Sequence, residues 1–304
     1  MSSEKIDYIC DICKNNFDNE EYLLTNNTQK CILHCEKNDW YEIKHKLKNW
    51  IKSENKIKYF WKKVRNLISS ISDKEKEILD LKNTIFPQFE FIHDLDNKPK
   101  AFNYVLGNKE FNFVKYEISD LSGYGKEPEF IIDINIDFSN SIFLDDVNFN
   151  YYKFKKFICF NKVKFYGKCN FKNTEFNEVS FDDIEFFEQV IFRDSILNFI
   201  NFHPDEDFKN TIFHDDVQFY TSKFSTVESK KAYDIKFMGT QFKRIYIMGC
   251  DFEKGICFFR DTKADIIAIN SATIDFLYIE SDVPNIHISS KEIKKLENLE
   301  VLIV

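Results

Sequence analysis

Phenylalanine recurs between Phe138 and Phe258, almost always at steps of five or six residues up to Phe224, and this ladder constrains the fold more than any other feature of the chain. Its rungs before residue 225 are Phe138, Phe143, Phe149, Phe154, Phe160, Phe165, Phe171, Phe176, Phe181, Phe186, Phe192, Leu197, Phe202, Phe208, Phe213, Phe219 and Phe224. Along much of the tract the two steps alternate, which gives an eleven-residue unit. A helix would repeat its apolar residues every three or four positions and a half-buried strand every two, so neither accounts for the ladder.

Small or β-branched side chains lie two residues before most rungs. This series is Ser141, Val147, Ile158, Val163, Cys169, Thr174, Val179, Ile184, Val190, Ser195, Ile200, Thr211, Val217 and Ser222, with exceptions at Tyr152 and Glu206. A right-handed β-helix with four short faces fits the pattern, because each face then carries one large and one small inward residue. Steps of five, six, five and six residues add up to a 22-residue coil. Such coils bury their faces only by stacking on their neighbours.

The ladder resembles the pentapeptide-repeat family in its phenylalanine-rich form with mixed five- and six-residue spacing. The resemblance covers residues 129–260 closely and residues 84–128 weakly. It implies a quadrilateral β-helix, which we expect over residues 84–288, and it implies no enzyme. The order of the early segments is similar to that of some bacterial members: Cys31–Lys37, an aromatic helix containing Tyr59–Trp61, and Ile85–Pro87.

Residues 1–36 contain the spacing of a zinc-binding module. Cys10 and Cys13 form a Cys-x2-Cys pair, which presents two thiolates to one tetrahedral zinc ion. Cys31 supplies a second pair together with either His34 or Cys35. We favour Cys35 as the fourth ligand, although the sequence leaves both open, and a metal-free thiol cluster is the alternative. Four protein ligands would close the site, so the predicted Zn²⁺ is structural and not catalytic.

Residues 37–83 carry apolar residues at helical spacing and predict two amphipathic helices. The apolar residues are Trp40, Ile43, Leu47, Trp50 and Ile51 in the first, and Ile57, Phe60, Trp61, Val64, Leu67, Ile68 and Ile71 in the second. A shorter helical stretch is predicted for residues 73–81. Residues 44–66 hold eight lysines and Arg65 against one acid, Glu54. This basic pair either binds nucleic acid or presents a solvated lysine face with its aromatic residues packed inward, and we favour the second interpretation.

The end of the ladder departs from its regular spacing. The gap between Phe224 and Phe237 predicts a protruding loop or distorted face, and residues 203–207 predict a corner insertion. After Phe258, recurrent apolar pairs predict the strands of the last coils. Residues 289–304 begin with a capping-box pattern and predict a helix that covers the exposed terminal coil. Its apolar tail would alternatively mediate a homodimer contact.

The sequence lacks the motifs of common enzyme classes. It has only 7 glycines against 34 phenylalanines, and neither a dinucleotide-binding nor a Walker-type phosphate loop is present. The histidines of the tract and its flanks, His93, His203, His214 and His287, are scattered. Asp215 and Asp216 beside His214 could form an acid–base or metal cluster, but solvent-facing corner residues explain them better. We therefore predict a protein without enzymatic activity.

The composition indicates a water-soluble chain. No run approaches the eighteen or so apolar residues that span a bilayer, and the N-terminal residues lack the pattern of a secretory signal. We therefore expect a cytoplasmic protein that does not contact membranes. The dispersed Cys169 and Cys250 occupy the small-residue series and are interpreted as buried apolar side chains.

The leading functional prediction is an interaction or scaffold protein whose protein partner the sequence does not name. A second prediction rests on the resemblance, since some pentapeptide-repeat proteins imitate duplex DNA and bind type II topoisomerases such as DNA gyrase. Residues 129–220 hold 17 acids and 9 bases, but a lysine-rich belt at residues 147–174 interrupts the acidic surface. A third prediction is direct nucleic-acid binding through residues 44–66.

Overall fold

The computed structural model describes residues 7–71, 78–88, 114–118, 128–198, 200–201, 211–225, 234–258, 261–279, 284–289 and 292–297. In this part of the chain most residues lie in strands and few in helices. None of its helices is both long enough and apolar enough to cross a membrane. The helical segments are α1 (Asn19–Leu24), a 3-10 helix (Ile51–Ser53) and α2 (Glu54–Ser69).

The strands fall into two groups, short hairpins in residues 7–71 and stacked strands from residue 78 onward. Those of the first group are β1 (Tyr8–Ile9), β2 (Asn16–Phe17), β3 (Glu42–Lys44) and β4 (Leu47–Asn49). Those of the second group are β5 (Ile78–Asp80), β6 (Ile85–Phe86), β7 (Val114–Ile118), β8 (Pro128–Ile132), β9 (Asn135–Asp137), β10 (Ile142–Phe143), β11 (Val147–Asn148), β12 (Tyr152–Cys159), β13 (Lys164–Phe165), β14 (Cys169–Asn170), β15 (Glu175–Ser180), β16 (Glu185–Phe186), β17 (Val190–Arg193), β18 (Ile196–Leu197), β19 (Ile200–Asn201), β20 (Ile212–Tyr220), β21 (Lys223–Phe224), β22 (Ile235–Phe237), β23 (Gln241–Met248), β24 (Asp251–Phe258), β25 (Lys263–Asn270), β26 (Thr273–Ile279), β27 (Ile286–Ser289) and β28 (Glu292–Glu297).

The stacked strands pair in parallel with segments about one coil away. Phe143 pairs with Phe165, which is 22 residues later, and Phe165 pairs with Phe186, which is 21 residues later. Longer offsets follow, from Phe186 to Phe213 and from Phe213 to Phe242, so extra residues enter these two coils. The predicted insertion at 203–207 and most of the predicted loop after Phe224 lie outside the described residues. This pairing is compatible with a β-solenoid, and the offsets of 22 and 21 residues lie at or within one residue of the predicted 22-residue coil.

The ladder phenylalanines form the core of the stacked strands, as predicted. Phe86, Phe143, Phe165, Phe186 and Phe213 are buried, and each ring stacks on the next at centroid distances of 4.4, 4.6, 5.0 and 4.9 Å. A spacing near 4.8 Å is the distance between neighbouring strands of a sheet, so each ring lies directly over the equivalent ring of the previous coil. The aromatic ladder is therefore a consequence of the strand register.

The small-residue series has a role that the sequence pattern did not reveal. Its hydroxyl side chains are buried and donate hydrogen bonds to main-chain carbonyls of the preceding coil. The Oγ1 atoms of Thr174 and Thr211 donate to Phe149 O and Phe181 O at 2.8 and 2.9 Å, and Thr262, which lies after the last residue of that series, donates to Phe237 O at 2.9 Å. A buried hydroxyl is costly without a partner, so these bonds explain why threonine and serine are tolerated in an aromatic core.

The eleven-residue unit corresponds to the spacing of left-handed backbone positions. Positive φ angles occur at Asn140, Tyr151, Lys162, Asn173 and, ten residues on, Asp183. The first four are separated by eleven residues each, or half of one coil. Asparagine, aspartate and glycine adopt this conformation at low cost, which explains why such residues recur at these turns.

Residues 40–51 do not form the predicted helix. They form an antiparallel hairpin, β3–β4, followed by the 3-10 helix. His45 and Lys46 at the tip have φ angles of 51° and 68°, which a helix excludes. The residues at helical spacing do not share one buried face, because Trp40 and Trp50 are buried whereas Ile43 and Leu47 are exposed. The second predicted helix is confirmed as α2.

The predicted helical stretch 73–81 is wrong where the structure describes it. Residues 78–80 form β5, and Leu79 pairs with Ile136 of β9, so the stacked strands begin before residue 84. Much of the weakly repetitive region 84–128 lies outside the described residues. Its strand β7 pairs with β8 in the antiparallel direction, which departs from the parallel pattern of the later coils.

The predicted C-terminal helix is also wrong where it can be compared. Glu292–Glu297 is strand β28, which pairs in parallel with β26, while residues 298–304 lie outside the described part. Ile293 pairs with Ile274, and Leu296 pairs with Leu277. Ile293 and Leu296 are three residues apart, as are their partners Ile274 and Leu277 in the preceding coil. A spacing of three residues also occurs on one face of a helix, which explains the wrong prediction. No cap or dimer contact by such a helix is supported.

Candidate metal centre

Two tight turns bring the predicted metal ligands to one place. Cys10 and Cys13 lie in the turn between β1 and β2, where Lys14 N donates to Cys10 O at 2.9 Å and Lys14 has a φ of 61°. The second turn begins at Cys31, whose carbonyl accepts the His34 amide at 2.9 Å. The ligand atoms of Cys10, Cys13, Cys31 and His34 all lie within 4.8 Å of one another.

The distances in this cluster fit a tetrahedral zinc ion. Zn–S bonds of about 2.3 Å and Zn–N bonds of about 2.0 Å place two sulfurs about 3.8 Å apart and a sulfur and a nitrogen about 3.5 Å apart. Cys13 Sγ lies 3.9 Å from Cys31 Sγ, and Cys10 Sγ lies 3.5 Å from His34 Nδ1. The Cys31 Sγ–His34 Nδ1 distance of 3.0 Å must lengthen by about half an ångström to hold the ion. The cluster is compatible with a structural zinc.

The surroundings favour the thiolate form of two cysteines. The hydrogen bond between the Cys13 and Cys31 sulfurs lowers the pKa of Cys13 to about 3 and raises the pKa of Cys31. Burial raises the pKa of Cys10, but hydrogen bonds from backbone amides, first that of Cys31, outweigh it and the pKa is lowered. Burial likewise lowers the pKa of His34, and its hydrogen bonds to Cys13 and Cys10 raise it by more. Thiolates are the form in which cysteine binds metals.

His34 is oriented by its other ring nitrogen. Its Nε2 lies 3.2 Å from the carbonyl oxygen of Lys82, and a carbonyl can only accept a hydrogen bond. Nε2 therefore carries a hydrogen and donates it, which places Nδ1 beside the sulfurs of Cys10 and Cys31, where its lone pair can bind a metal when Nδ1 is deprotonated. Metal-binding histidines are commonly fixed in this way by a partner on the second nitrogen.

Cys35 does not join the cluster, so the preference for Cys35 over His34 as fourth ligand is not supported by the geometry. Its Sγ lies 3.7 Å from Ile32 O, on the side of the turn where the buried Lys37 amine is located. Burial raises the pKa of the Cys35 thiol, which keeps it protonated. Adjacent residues on a tight turn point in different directions, so only one of His34 and Cys35 can face Cys10.

Lys37 supports the second turn and was not identified from the sequence. Its Nζ donates to Ile32 O at 3.0 Å and Cys35 O at 3.1 Å, and it lies 4.9 Å from the centre of the Trp40 ring. The side chain is fully buried, and burial lowers its pKa to about 8. A lysine two residues after a cysteine carries no sequence signal for this role.

Glu21 is a second supporting residue that the sequence did not indicate. This carboxylate on α1 is 1 % exposed, accepts the Ile32 amide at 2.7 Å and pairs with Lys63 of α2 at 3.0 Å. Asp18 caps α1 by accepting the Glu21 amide at 2.9 Å. A buried charge is tolerated only with such partners, so Glu21 holds α1, α2 and the second ligand turn in one arrangement.

Residues 7–71, termed the head module below, pack on the first stacked strands. Ile85 of β6 donates its amide to Leu33 O at 2.9 Å, which gives the first strand of this sheet a hydrogen-bond partner beside the metal ligands. Trp50 Nε1 donates to Asp145 Oδ2 at 2.6 Å, and the ring of Phe60 contacts that of Phe86 at 5.7 Å. Head and stacked strands thus share one core.

The remaining candidate groups do not assemble into a second centre within the described residues. His214 stacks on Phe187 at 4.8 Å, while Asp215 pairs with Lys243 and Asp216 with Arg244. His93 and His203 lie outside the described part. All eight cysteines are free thiols, and Cys169 and Cys250 are buried as predicted.

No family profile, curated protein or solved structure matches this chain.

Proposed function

We propose that this chain is a non-enzymatic interaction protein. Its head module is stabilised by a zinc ion and covers the first coil of a rigid β-helical body. The observation that carries the proposal is the hydrogen bond from His34 to Lys82, because it ties the Cys3His cluster directly to the start of the stacked strands. Four protein ligands, three of them buried and Cys13 partly buried, leave no open position for a substrate, so a zinc ion here stabilises the fold and supplies no reaction.

The zinc assignment rests on donor chemistry and burial. Three sulfurs and one imidazole nitrogen form a ligand set typical of structural zinc, and Cys10, Cys31 and His34 are 0, 2 and 5 % exposed. Small modules with few core residues commonly depend on such an ion for their folding. Cys10, Cys13, Cys31 and His34 are accordingly the proposed ligands.

The body is proposed to be a right-handed quadrilateral β-helix of the pentapeptide-repeat type. Support comes from the 21- to 22-residue parallel register, from the stacked phenylalanines and from the left-handed turn positions every eleven residues. A rigid solenoid presents long outward faces whose side chains can vary without disturbing the core. Partner contacts are therefore proposed for outward residues and for the head module.

The two nucleic-acid-related functions receive less support. The acidic side chains expected to imitate DNA are partly neutralised, since Asp216 pairs with Arg244 at 2.6 Å and Glu185 with Lys164 at 3.0 Å. Among the basic residues of 44–66, Lys56, Lys58 and Lys63 pair with Asp39, Glu54 and Glu21. DNA mimicry and nucleic-acid binding are therefore less well supported than the scaffold function.

Metal analysis of the purified protein tests the head assignment. We expect one zinc per chain in the wild type, a loss of most of it in Cys10→Ser and His34→Ala, and retention in Cys35→Ser. Cys35 is a matched control because it is buried in the same turn but lies outside the cluster. A wild-type protein without stoichiometric zinc would overturn the assignment, and zinc loss only in Cys35→Ser would reverse the choice of ligand.

The interaction function is tested by affinity capture from native cells with the wild type and with variants of outward residues. We expect a specific protein to be recovered that is lost when outward charges such as Glu175 or Lys243 are reversed. A DNA gyrase supercoiling assay provides the comparison for the mimic function. Inhibition of supercoiling at stoichiometric protein would favour DNA mimicry over the scaffold proposal.

A further inference from the structure

The β3–β4 hairpin has an unusual surface for a soluble module. Ile43, Leu47 and Ile51 are 63, 74 and 74 % exposed, although the neighbouring Trp40 and Trp50 are buried. A single exposed aliphatic residue needs no explanation, but three within nine residues of one hairpin and the following turn form a patch. The hairpin therefore carries apolar groups that the chain itself does not cover within the described residues.

Lysines surround these aliphatic side chains. Residues 42–52 contain Lys44, Lys46, Lys48 and Lys52 against one acid, Glu42. Glu42 lies 3.8 Å from the Lys44 amine and 3.9 Å from the Lys52 amine, and all three side chains are exposed. Exposed pairs at such distances contribute little, so the segment remains positively charged in a chain whose net charge is −8.

Each face of the hairpin carries one exposed aliphatic residue beside a lysine. Cross-strand partners share one face of a hairpin, so Leu47 lies beside Lys44 on one side and Ile43 lies beside Lys48 on the other. A groove on a protein or a nucleic acid would cover one face and leave the other aliphatic residue in water. The boundary region of a lipid bilayer surrounds an inserted tip and accommodates both.

The base of the hairpin is fixed. Trp50 donates its indole N–H to Asp145 at 2.6 Å, and its ring packs against Tyr41 at a centroid distance of 4.8 Å. At the tip, His45 and Lys46 both have positive φ angles, which is the geometry of a tight two-residue hairpin turn. The exposed residues are thus presented by a short, anchored element and need little ordering to bind.

We propose that the hairpin formed by residues 42–52 docks on an anionic lipid bilayer. Ile43, Leu47 and Ile51 enter the boundary between headgroups and acyl chains, while Lys44, Lys46 and Lys48 contact lipid phosphates and keep their amines in the headgroup layer. A lack of apolar spans excludes only crossing of the bilayer and does not bear on this peripheral mode. Nucleic acid fits the patch less well, because the exposed apolar groups are aliphatic and base stacking needs aromatic rings.

Co-sedimentation of the full-length protein with vesicles tests the proposal. Vesicles of phosphatidylcholine with and without phosphatidylserine are compared at low and physiological salt. We expect binding only to the phosphatidylserine vesicles, weakening as salt shortens the range of the lysine charges. The double variant Ile43→Ser/Leu47→Ser should bind about a hundredfold more weakly, or about tenfold for each side chain. Replacing Lys44, Lys46 and Lys48 with Gln should cost about fivefold for each lysine.

Leu23→Ser is the matched control, because Leu23 is 60 % exposed but belongs to α1 and not to the lysine-rich hairpin. It should bind vesicles as the wild type does. Since Ile43 and Leu47 are exposed, their serine variants should keep the native circular dichroism spectrum and zinc content.

Three results would overturn the proposal. The first is no binding to phosphatidylserine vesicles at low salt. The second is vesicle binding that depends on the lysines but is unchanged in Ile43→Ser/Leu47→Ser, since simple charge attraction would then explain it. The third is tighter binding of a short RNA or DNA duplex than of vesicles, which would favour the nucleic-acid function of this segment.

Discussion

His34 donates its Nε2 hydrogen to the carbonyl oxygen of Lys82 at 3.2 Å, so the metal cluster and the first stacked strands share a hydrogen bond. Ile85, three residues after Lys82, donates its amide to Leu33, the residue before His34. The ligand turn therefore acts as an additional strand-like partner for β6. A pairing partner at the end of a sheet also protects it from association with other chains.

Zinc removal should consequently destabilise more than the head module. We expect a strong chelator, or Cys10→Ser, to lower the thermal midpoint of the protein and to expose the amide of Ile85 to hydrogen exchange. Loss of the metal frees the His34 ring, and its bond to Lys82 is then no longer fixed. Hydrogen exchange measured by mass spectrometry checks this expectation, with the Phe165 region of a later coil as the internal reference. Equal protection of Ile85 with and without zinc would contradict it.

Trp50 and Asp145 form the second link between head and body. Trp50→Phe removes the indole donor from a partly buried carboxylate, and we expect a loss of about 1–3 kcal/mol of unfolding free energy at neutral pH. Chemical denaturation at fixed pH measures it. Asp145→Ala, alone and combined with Trp50→Phe, completes a double-mutant cycle that separates the hydrogen bond from the loss of ring volume.

The cost of Trp50→Phe should depend on pH. Burial raises the pKa of Asp145 above its ordinary value of 3.8, and the Trp50 hydrogen bond opposes this rise. A raised pKa in the folded state means that stability falls as pH rises from 3.8 through the folded value. Without the indole the pKa rises further, so the variant loses most at neutral pH and approaches the wild type in acid. A cost that is the same at both pH values would contradict this mechanism.

Gly167 is required by close backbone packing and not by an unusual φ angle. A Cβ at this position would overlap the amide nitrogen of Asp146 and the carbonyl carbon of Asp145, and neither backbone atom can rotate away. We expect Gly167→Ala to cost about 3 kcal/mol or more and to weaken the contact of Asp145 with Trp50. Denaturant titration of the variant measures the loss of unfolding free energy.

Gly249→Ala is the comparison for this prediction. Gly249 has a φ of +63°, but its added Cβ would meet only Thr221 Cγ2 at 3.4 Å and Thr221 N at 3.9 Å. We expect about 1–2 kcal/mol for this variant, from the left-handed backbone alone. A larger effect at Gly249 than at Gly167 would show that backbone conformation, and not crowding, limits these coils.

The repeat of the body could be predicted because every coil places the same residue types in the same positions. Phe143, Phe165 and Phe186 occupy one stacked column. The same requirement for a large aromatic side chain therefore recurs in each coil and is visible as a repeat in the sequence. Residues outside the repeats have no equivalent positions elsewhere in the sequence that would reveal their role. Glu21 and Lys37 are both buried and both support the ligand turn, yet nothing in the sequence distinguishes them from surface charges.

The wrong helix predictions have a common physical origin. Spacings of three and four residues also arise across a hairpin turn and within a single strand of a coil, as Ile43 and Leu47 of the hairpin and Ile293 and Leu296 of β28 illustrate. Periodicity over so few residues does not separate these cases, because strand pairing with other parts of the chain decides between them.

The choice of His34 over Cys35 could have been made from spacing. Cys31-x2-His34 repeats the separation of Cys10-x2-Cys13, and two equal turns can approach one ion from opposite sides. The direction of the Cys35 side chain depends on the carbonyl and amine groups around it, which tertiary structure alone defines.

Lys162 occupies a turn position where asparagine would be better suited. Its φ is 58°, and the equivalent positions of neighbouring half-coils include Asn140 and Asn173. The side chain is exposed and its backbone amide bonds to Asp182 O at 2.9 Å, which a substitution leaves intact. We expect Lys162→Asn to raise the unfolding free energy by about 0.5–1 kcal/mol, because asparagine adopts the left-handed conformation at lower cost. Lys168→Asn is the control, since Lys168 is also exposed but is not among the residues with positive φ, and it should change stability by less than about 0.5 kcal/mol. Equal gains in both variants would indicate an effect of removing lysine charge and would contradict the backbone explanation.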